Sequence, residues 1–311
     1  MLNQTVSKSP KLFTGPYYIS SKFRKPGNIP IKGIPANLHN NKRHVTNNSQ
    51  DLFKYKHEFD SIHKNSLHKN LILSTMVAIA KINTKKIIDY KLLYNSLKNK
   101  VPYALNDCIV LAAKEGGFAG QSSIVIIKKN YKRSVNCKIF GNGSIQLSGI
   151  DIPQTGINTV QYILILLKHL NIIENDAWIN NYETTNINCK YVNAYEINQF
   201  SLFKLLKSKG CLVLFDLSHY PGINLKYFSN VYNTNKNSIC QCSTPCRTKK
   251  GHGFERGSCR RITLSIFRSG TLLITGARTY DQLNEVYTYI TDIFNNHKST
   301  VKLKEFTLEP T

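Results

Sequence analysis

Acidic side chains are scarce in this chain. Its 311 residues include 18 Asp and Glu against 42 Lys and Arg, a formal charge of +24. An imbalance of that size excludes a bland globular surface. It favours a polyanionic partner, nucleic acid first and an anionic membrane surface second. Long apolar runs are missing as well. The longest, YILILL at 162–167, is closed by Lys168 and His169, well short of the roughly 18 residues of a spanning helix. The N-terminal MLNQTVSKSPKLF holds no apolar signal core. These absences lead us to expect an intracellular protein with no membrane segment. Enzyme signatures are absent too: no G-x-S-x-G, no P-loop, no H-E-x-x-H, and no zinc-deaminase pairing. GHGFERG at 251–257 only approaches a dinucleotide fingerprint, and no strand feeds it. The expectation is a protein that is not an enzyme.

Residues 1–65 hold 5 of the 10 prolines and 11 Lys and Arg against 3 acidic residues, with no apolar period. They read as a disordered basic arm, either a plain solvated tail or an extension that tracks phosphates. Past residue 66 the pattern becomes regular and occurs twice. IFGNGSIQLSGI at 139–150 returns as IFRSGTLLITGA at 266–277. Asn142-Gly143 and Ser269-Gly270 are tight-turn signals between apolar flanks, so each copy reads as a β-hairpin ending in Gly.

Each hairpin belongs to a longer pattern of strand, helix, several strands and helix. The first pass has a strand at 70–77 and a helix from about Asn83 with Ile88/Leu92 and Leu93/Leu97 pairs. The strand SIVIIKK, the hairpin, and a helix near Thr155 follow. The second has a strand at 186–192, a helix from Asn198 to Gly210, strands CLVLFDL and INLKYF, and the hairpin. Its last helix starts at Thr279, with Gln282 as a capping-box partner. Hairpins dominate, which argues against parallel winding and for an α+β fold, an antiparallel sheet with helices on one face. The boundaries are 66–175 for the first repeat, 176–300 for the second, and 301–311 for a C-terminal tail. Such a sheet leaves one face free, and apolar residues on it suit a minor groove.

Four of the eight cysteines, Cys240, Cys242, Cys246 and Cys259, crowd into an insert at 238–259, with His252 among them. Four S/N ligands match a tetrahedral metal, so one structural Zn²⁺ is the leading reading. A basic loop with free thiols and a disulfide are the alternatives.

The doubled hairpin-helix phrase resembles the TATA-binding protein family over roughly 68–300. SIFRSGTLLITGAR (265–278) and HYPGINLKY (219–227) carry most of the likeness. The divergence and the Asn-, Lys-, Ile- and Tyr-rich style look most like the relatives of this family in large DNA viruses. The resemblance implies two pseudo-symmetric repeats forming a curved antiparallel saddle with helices on the convex face. It implies a transcription initiation factor that binds and bends AT-rich double-stranded DNA through the minor groove. Asn70 and Asn186 match base-reading positions, as do Ser148 and Thr275. Phe140 and Phe267 match kinking aromatics, and Tyr220 the second aromatic of the C-terminal pair. Its first-half partner falls near Ser123, where there is no aromatic; Phe118 is the nearest. Ile72 and Leu273 match groove-lining positions, with mates at Asn188 and Gln146. Lys129, Lys226 and Arg278 match phosphate contacts, the mate of Arg278 being Asp151. The insert aligns as an extension of the second repeat's stirrup loop, beside the surface that docks a transcription factor B-like protein. That protein and the RNA polymerase machinery are the implied partners. The implied place is the host nucleus, a cytoplasmic viral factory or the virion. Two other readings stand: an architectural or packaging protein of the same fold with little sequence preference, and a protein-docking module that has lost DNA binding.

Overall fold

In the computed structural model, which describes residues 66–115, 120–129, 133–246 and 251–303, the first strand runs past its expected end at Val77 and reaches Asn83, where the sequence reading starts a helix. Strand β1 runs Ile72–Asn83. Met76, Ala78, Ala80 and Ile82 are buried and alternate with Val77, Ile79 and Lys81. That period of two belongs to a half-buried strand. Helix α1 begins only at Tyr90 and ends at Leu97. Asp89 caps it, accepting the N–H groups of Lys91 and Leu92 at 3.0 and 2.9 Å. Leu93 and Leu97 are both buried, as their pairing suggests, but Ile88 is buried ahead of the helix and its partner Leu92 is exposed. The arm at 1–65, Phe118 and the tail from 304 lie outside the described residues.

Strands β2 (Tyr103–Leu105), β3 (Cys108–Glu115) and β4 (Gln121–Lys128) follow. The first hairpin is β5 (Val135–Phe140) and β6 (Ser144–Ile150), and α2 spans Pro153–His169. The YILILL run lies within α2, with Tyr162, Ile163, Leu164, Leu166 and Leu167 buried. Strand β7, Trp178–Val192, starts well before the expected Asn186. Then come α3 (Gln199–Ser208), β8 (Leu212–Asp216) and β9 (Tyr220–Ser229). The second hairpin is β10 (Arg260–Ile266) and β11 (Thr271–Ala277), followed by α4 (Tyr280–Asn296) and the short α5 (Lys298–Val301). No described helix is long and apolar enough to cross a membrane.

The turn glycines do what the two hairpins require. Gly143 and Gly270 hold φ of 85° and 78°. A Cβ on Gly143 would lie 2.5 Å from the Ile82 carbonyl oxygen, and one on Gly270 2.6 Å from that of Tyr195. Both turns therefore need a residue without a side chain. Asn198 caps α3 by accepting the Ser201 N–H, and Gly210 ends it with φ of 77°. At α4 the cap is half as expected. Thr279 Oγ1 accepts the Gln282 N–H at 3.2 Å. The Gln282 side chain does not return to Thr279; it accepts from the Arg278 N–H and donates to the His252 carbonyl, each at 2.8 Å.

All eleven strands form one antiparallel sheet in the order β2-β3-β4-β5-β6-β1-β7-β11-β10-β9-β8. β1 and β7 pair at its centre, and each continues outward through its own hairpin. Helices α2 and α4 pack on the central strands, α1 and α3 on the outer ones. A single core cluster runs from Leu71 to Val301 across both sequence halves. The fold is thus an α+β sheet with one covered and one open face. The insert joins β9 to β10. It is not part of the β8–β9 turn beside Tyr220, so its alignment as a stirrup extension is corrected: Arg260, just after the insert, pairs with Ser229, at the end of β9 remote from Tyr220.

Candidate functional site

Antiparallel partners point to the same side of a sheet, so the register traces rows across the open face. One row reads Ile72, Lys190, Leu273, Ser265, Asn224, Leu214. The other half carries Glu183, Ile79, Gln146, Lys138, Ser123, Lys114. Large aliphatics stand exposed on this face, among them Ile72 at 59%, Ile79 at 45% and Leu214 at 61%. Lysines alternate with them, and polar neighbours bond one another across and along the strands. Ser265 donates to Asn224 at 3.1 Å, Ser123 to Asn136 at 3.2 Å, and Asn186 to Asn188 at 3.1 Å.

If the two halves are the repeats that the sequence implies, the register gives the positions that would correspond. Thr75 pairs with Asn188 and Val77 with Asn186. The counterpart of Asn186 is therefore Thr75, and that of Asn188 is Val77. Asn70 lies before β1 and turns to the helix side, where its Nδ2 donates to Tyr287 Oη at 2.8 Å. Asn70 and Asn186 are not brought to equivalent places. Asn70 matches by residue type alone; Thr75 has the matching register. Leu273 and Gln146 do correspond, but the counterpart of Ile72 is Glu183 rather than Asn188. Ser148 and Thr275 both reach the open face, beside Val77 and Thr263 respectively.

At the outer end of β10, Phe267 meets Tyr220 with ring centroids 5.7 Å apart. Both rings lie over Gly222, whose absent Cβ would sit 2.8 Å from Tyr220 Cε1 and 3.2 Å from Phe267 Cε1. Tyr220 is 36% exposed. Phe140 is half-buried at the matching hairpin, opposite Gln121. Ser123 pairs with Lys138, so the position near Ser123 is not the one beside Phe140.

The three basic positions have different surroundings. Lys129 is exposed next to β4. Lys226 is half-buried on the open face; its Nζ donates to Thr263 Oγ1 at 2.9 Å, and burial, then the nearby Arg261, lower its pKa. Arg278 is only 7% exposed. Its guanidinium is ion-paired with Glu183 and reaches the Thr184 carbonyl at 3.4 Å, and burial lowers its pKa. That placement corrects its reading as a phosphate contact, since the charge is committed inside the fold. Asp151 uses its carboxylate locally, accepting the Ile152 N–H at 2.8 Å.

Sequence reasoning missed two bulges and the two arginines that bond their carbonyls. In β7, Asn186 and Thr184 pair with the adjacent Val77 and Ala78, which leaves Thr185 as a bulge. Arg260 Nη2 donates to the Thr185 carbonyl at 2.9 Å, and its Nε to that of Gly276. In β1, Ser74 is skipped in the same way, and Arg133 Nη1 donates to its carbonyl at 3.3 Å. The signal was in the sequence: Arg133 and Arg260 stand the same distance before the two copies of the hairpin phrase.

The four insert cysteines converge. Their sulfurs lie within 4.8 Å of one another, with Cys242–Cys259 at 3.4 Å and Cys259–Cys240 at 3.7 Å. A tetrahedral thiolate site with metal–sulfur bonds of about 2.3 Å has sulfur–sulfur edges of roughly 3.8 Å, so the set can hold a metal ion. His252 is exposed and outside it. Burial alone would raise the Cys240 thiol, but the backbone N–H groups of Cys246 and Cys242 and the neighbouring thiols overcome this and hold it at about 7. Phe228 packs against the cluster, which forms its own small core.

The fold and these sites define an open-faced antiparallel sheet protein, basic and apolar on its free face, with a cysteine knuckle at one strand end. Among solved structures, the chain is similar to "Methanococcus jannaschii TBP", at 14% identity and a TM-score of 0.44, over 74% of this chain and 99% of that one. No family model and no curated protein matches the chain.

Proposed function

We propose that this protein is a TATA-binding-protein-like factor that seats AT-rich duplex DNA in the minor groove against its open face. The two sequence halves then act as pseudo-symmetric repeats of a saddle. The observation that carries the reading is the Tyr220–Phe267 pair held over Gly222 at the outer end of the open face. Aromatic side chains placed there can enter a base step, and the bent duplex then covers the exposed aliphatics. Asn186, Ser148 and Thr275 offer short polar groups to the acceptors that A·T and T·A share. Lys226 and Lys129 supply phosphate contacts. A Zn²⁺ in the Cys240/Cys242/Cys246/Cys259 knuckle serves structure, not chemistry, since nothing in the mechanism calls for a reaction. A role in transcription initiation, with a transcription factor B-like partner, follows from the family resemblance in the sequence.

Competition between AT-rich and GC-rich duplex at one stated salt concentration tests the reading. A preference for AT-rich duplex of tenfold or more supports it; equal competition contradicts it. The first-half row favours one second reading. Lys138 and Lys114 stand where the other half has Ser265 and Leu214, and Gln146 where it has Leu273. More charge and less apolar surface suit an architectural protein with little sequence preference, and equal competition with retained bending would assign that role.

A further inference from the structure

Each half of the central sheet has a bulge whose freed carbonyl is taken by an arginine, but only one of the two arginines is locked in place. Arg133 is exposed and reaches the Ser74 carbonyl at 3.3 Å. Arg260 is half-buried and holds two carbonyls, those of Thr185 and Gly276. The difference between them is the knuckle. Cys259, fully buried, immediately precedes Arg260. Asn230 donates to the Cys259 sulfur at 3.7 Å and to the Glu255 carbonyl at 2.8 Å. On the other side, His252 accepts from Gln282, and Gln282 accepts from the Arg278 backbone. Arg278 in turn reaches Thr184, next to the bulge. Gly253, where a Cβ would meet Gln282 Nε2, the Ser229 oxygen and Arg260 within 3.2 Å, closes the loop on this junction.

We propose that the cysteine knuckle is a metal-dependent lock on the shape of the open face. Metal bound by Cys240, Cys242, Cys246 and Cys259 fixes the start of β10. Arg260 and, through Gln282, Arg278 then hold the carbonyls of Thr184, Thr185 and Gly276. Those carbonyls set how β7 and β11 present Asn186 and Thr275 to a ligand. Buried bulge carbonyls need a partner. Losing the lock therefore loosens the centre of the second half while β3 to β5 of the first half, which do not pair with β7, stay as they are. The duplex reading supplies the use of this face, but the lock is a property of the free protein.

The test is hydrogen exchange on the full chain without DNA, before and after metal removal by a chelator and re-addition of Zn²⁺ alone. One Zn²⁺ per chain should bind. Chelation should speed exchange tenfold or more at residues 184–188 and 276–277, with residues 122–126 and 135–139, which do not pair with β7, unchanged, and Zn²⁺ should reverse it. Arg260→Met should keep the metal and loosen 184–188 to a similar degree, which separates the lock from general unfolding. Absence of stoichiometric metal binding, exchange changes confined to 230–259, or an Arg260→Met variant with unchanged 184–188 would each overturn the proposal. A chain that binds no duplex but shows the predicted exchange pattern would remove the groove reading and leave the lock standing.

Discussion

Replacing Arg278 by Met separates a structural arginine from a phosphate contact. The side chain is 7% exposed, so Met can fill most of its volume. What is lost is the hydrogen bond to the Thr184 carbonyl, on a residue only 5% exposed, and the ion pair with Glu183. Leaving a buried carbonyl unpaired costs about 1–3 kcal/mol. The Glu183 side chain is 40% exposed, so water takes over much of its pairing and the ion pair adds no more than about 1 kcal/mol. The sum, about 1–4 kcal/mol, corresponds to a Tm lowered by roughly 2–15 °C for a domain of this size. Binding to AT-rich duplex, measured across a salt series, should keep its slope of log K against log[salt], because no phosphate contact has gone. An unchanged Tm together with a slope reduced by about one would refute this account of Arg278.

Lys226→Met should do the opposite, lowering the salt slope by about one with little change in Tm. Burial lowers the Lys226 pKa in the free protein, and a bound phosphate raises it again. Duplex binding therefore takes up protons, and affinity should fall as pH rises through the window below the ordinary lysine value; titration calorimetry in buffers of differing ionisation heat would show this, and Lys226→Met should abolish it. Gly143→Ala and Gly270→Ala should each cost about 2 kcal/mol or more in denaturant melts, since each adds a Cβ within 2.6 Å of a backbone oxygen at positive φ. Gly257→Ala, with positive φ but nothing within 4 Å, should cost only about 1 kcal/mol. Asn70→Ala should lose about 1 kcal/mol of stability and keep the AT-over-GC preference measured by competition, whereas Asn186→Ala should reduce that preference roughly tenfold.

The hairpins, strands β4, β8 and β9, and the helices capped by Asn198 and Thr279 were legible because local chemistry decides them. Asn-Gly and Ser-Gly force the turns, Asn198 and Thr279 cap, and the stripe Leu283, Val286, Ile290 and Phe294 is buried as its period demands. The extent of β1 was not legible: the local pattern ended the strand at Val77 and began a helix near Asn83, whereas pairing with β6 and β7 carries the strand on to Asn83 and α1 starts only at Tyr90. The cysteine cluster was legible from spacing, but its place at the β9–β10 connection was not. Asn70 and Arg278 show the limit on the site side. Both matched by residue type, yet Asn70 lies before β1 and bonds Tyr287 of α4, and Arg278 lies just after β11 and is buried; within β1 and β7, bulges shift which residues reach the open face. No linear pattern marks a bulge, although the paired Arg133 and Arg260 were a clue.

End-to-end fluorescence transfer on a doubly labelled AT-rich duplex tests the central claim most directly, comparing the full chain with Phe267→Ala and Phe140→Ala. If the open face grips a minor groove with aromatic wedges, the chain shortens the end-to-end distance. Phe267→Ala then loses most of the shortening while its melting curve stays close to that of the parent, and Phe140→Ala loses less. A duplex that stays straight with the protein bound, or bends equally with both variants, would contradict the account.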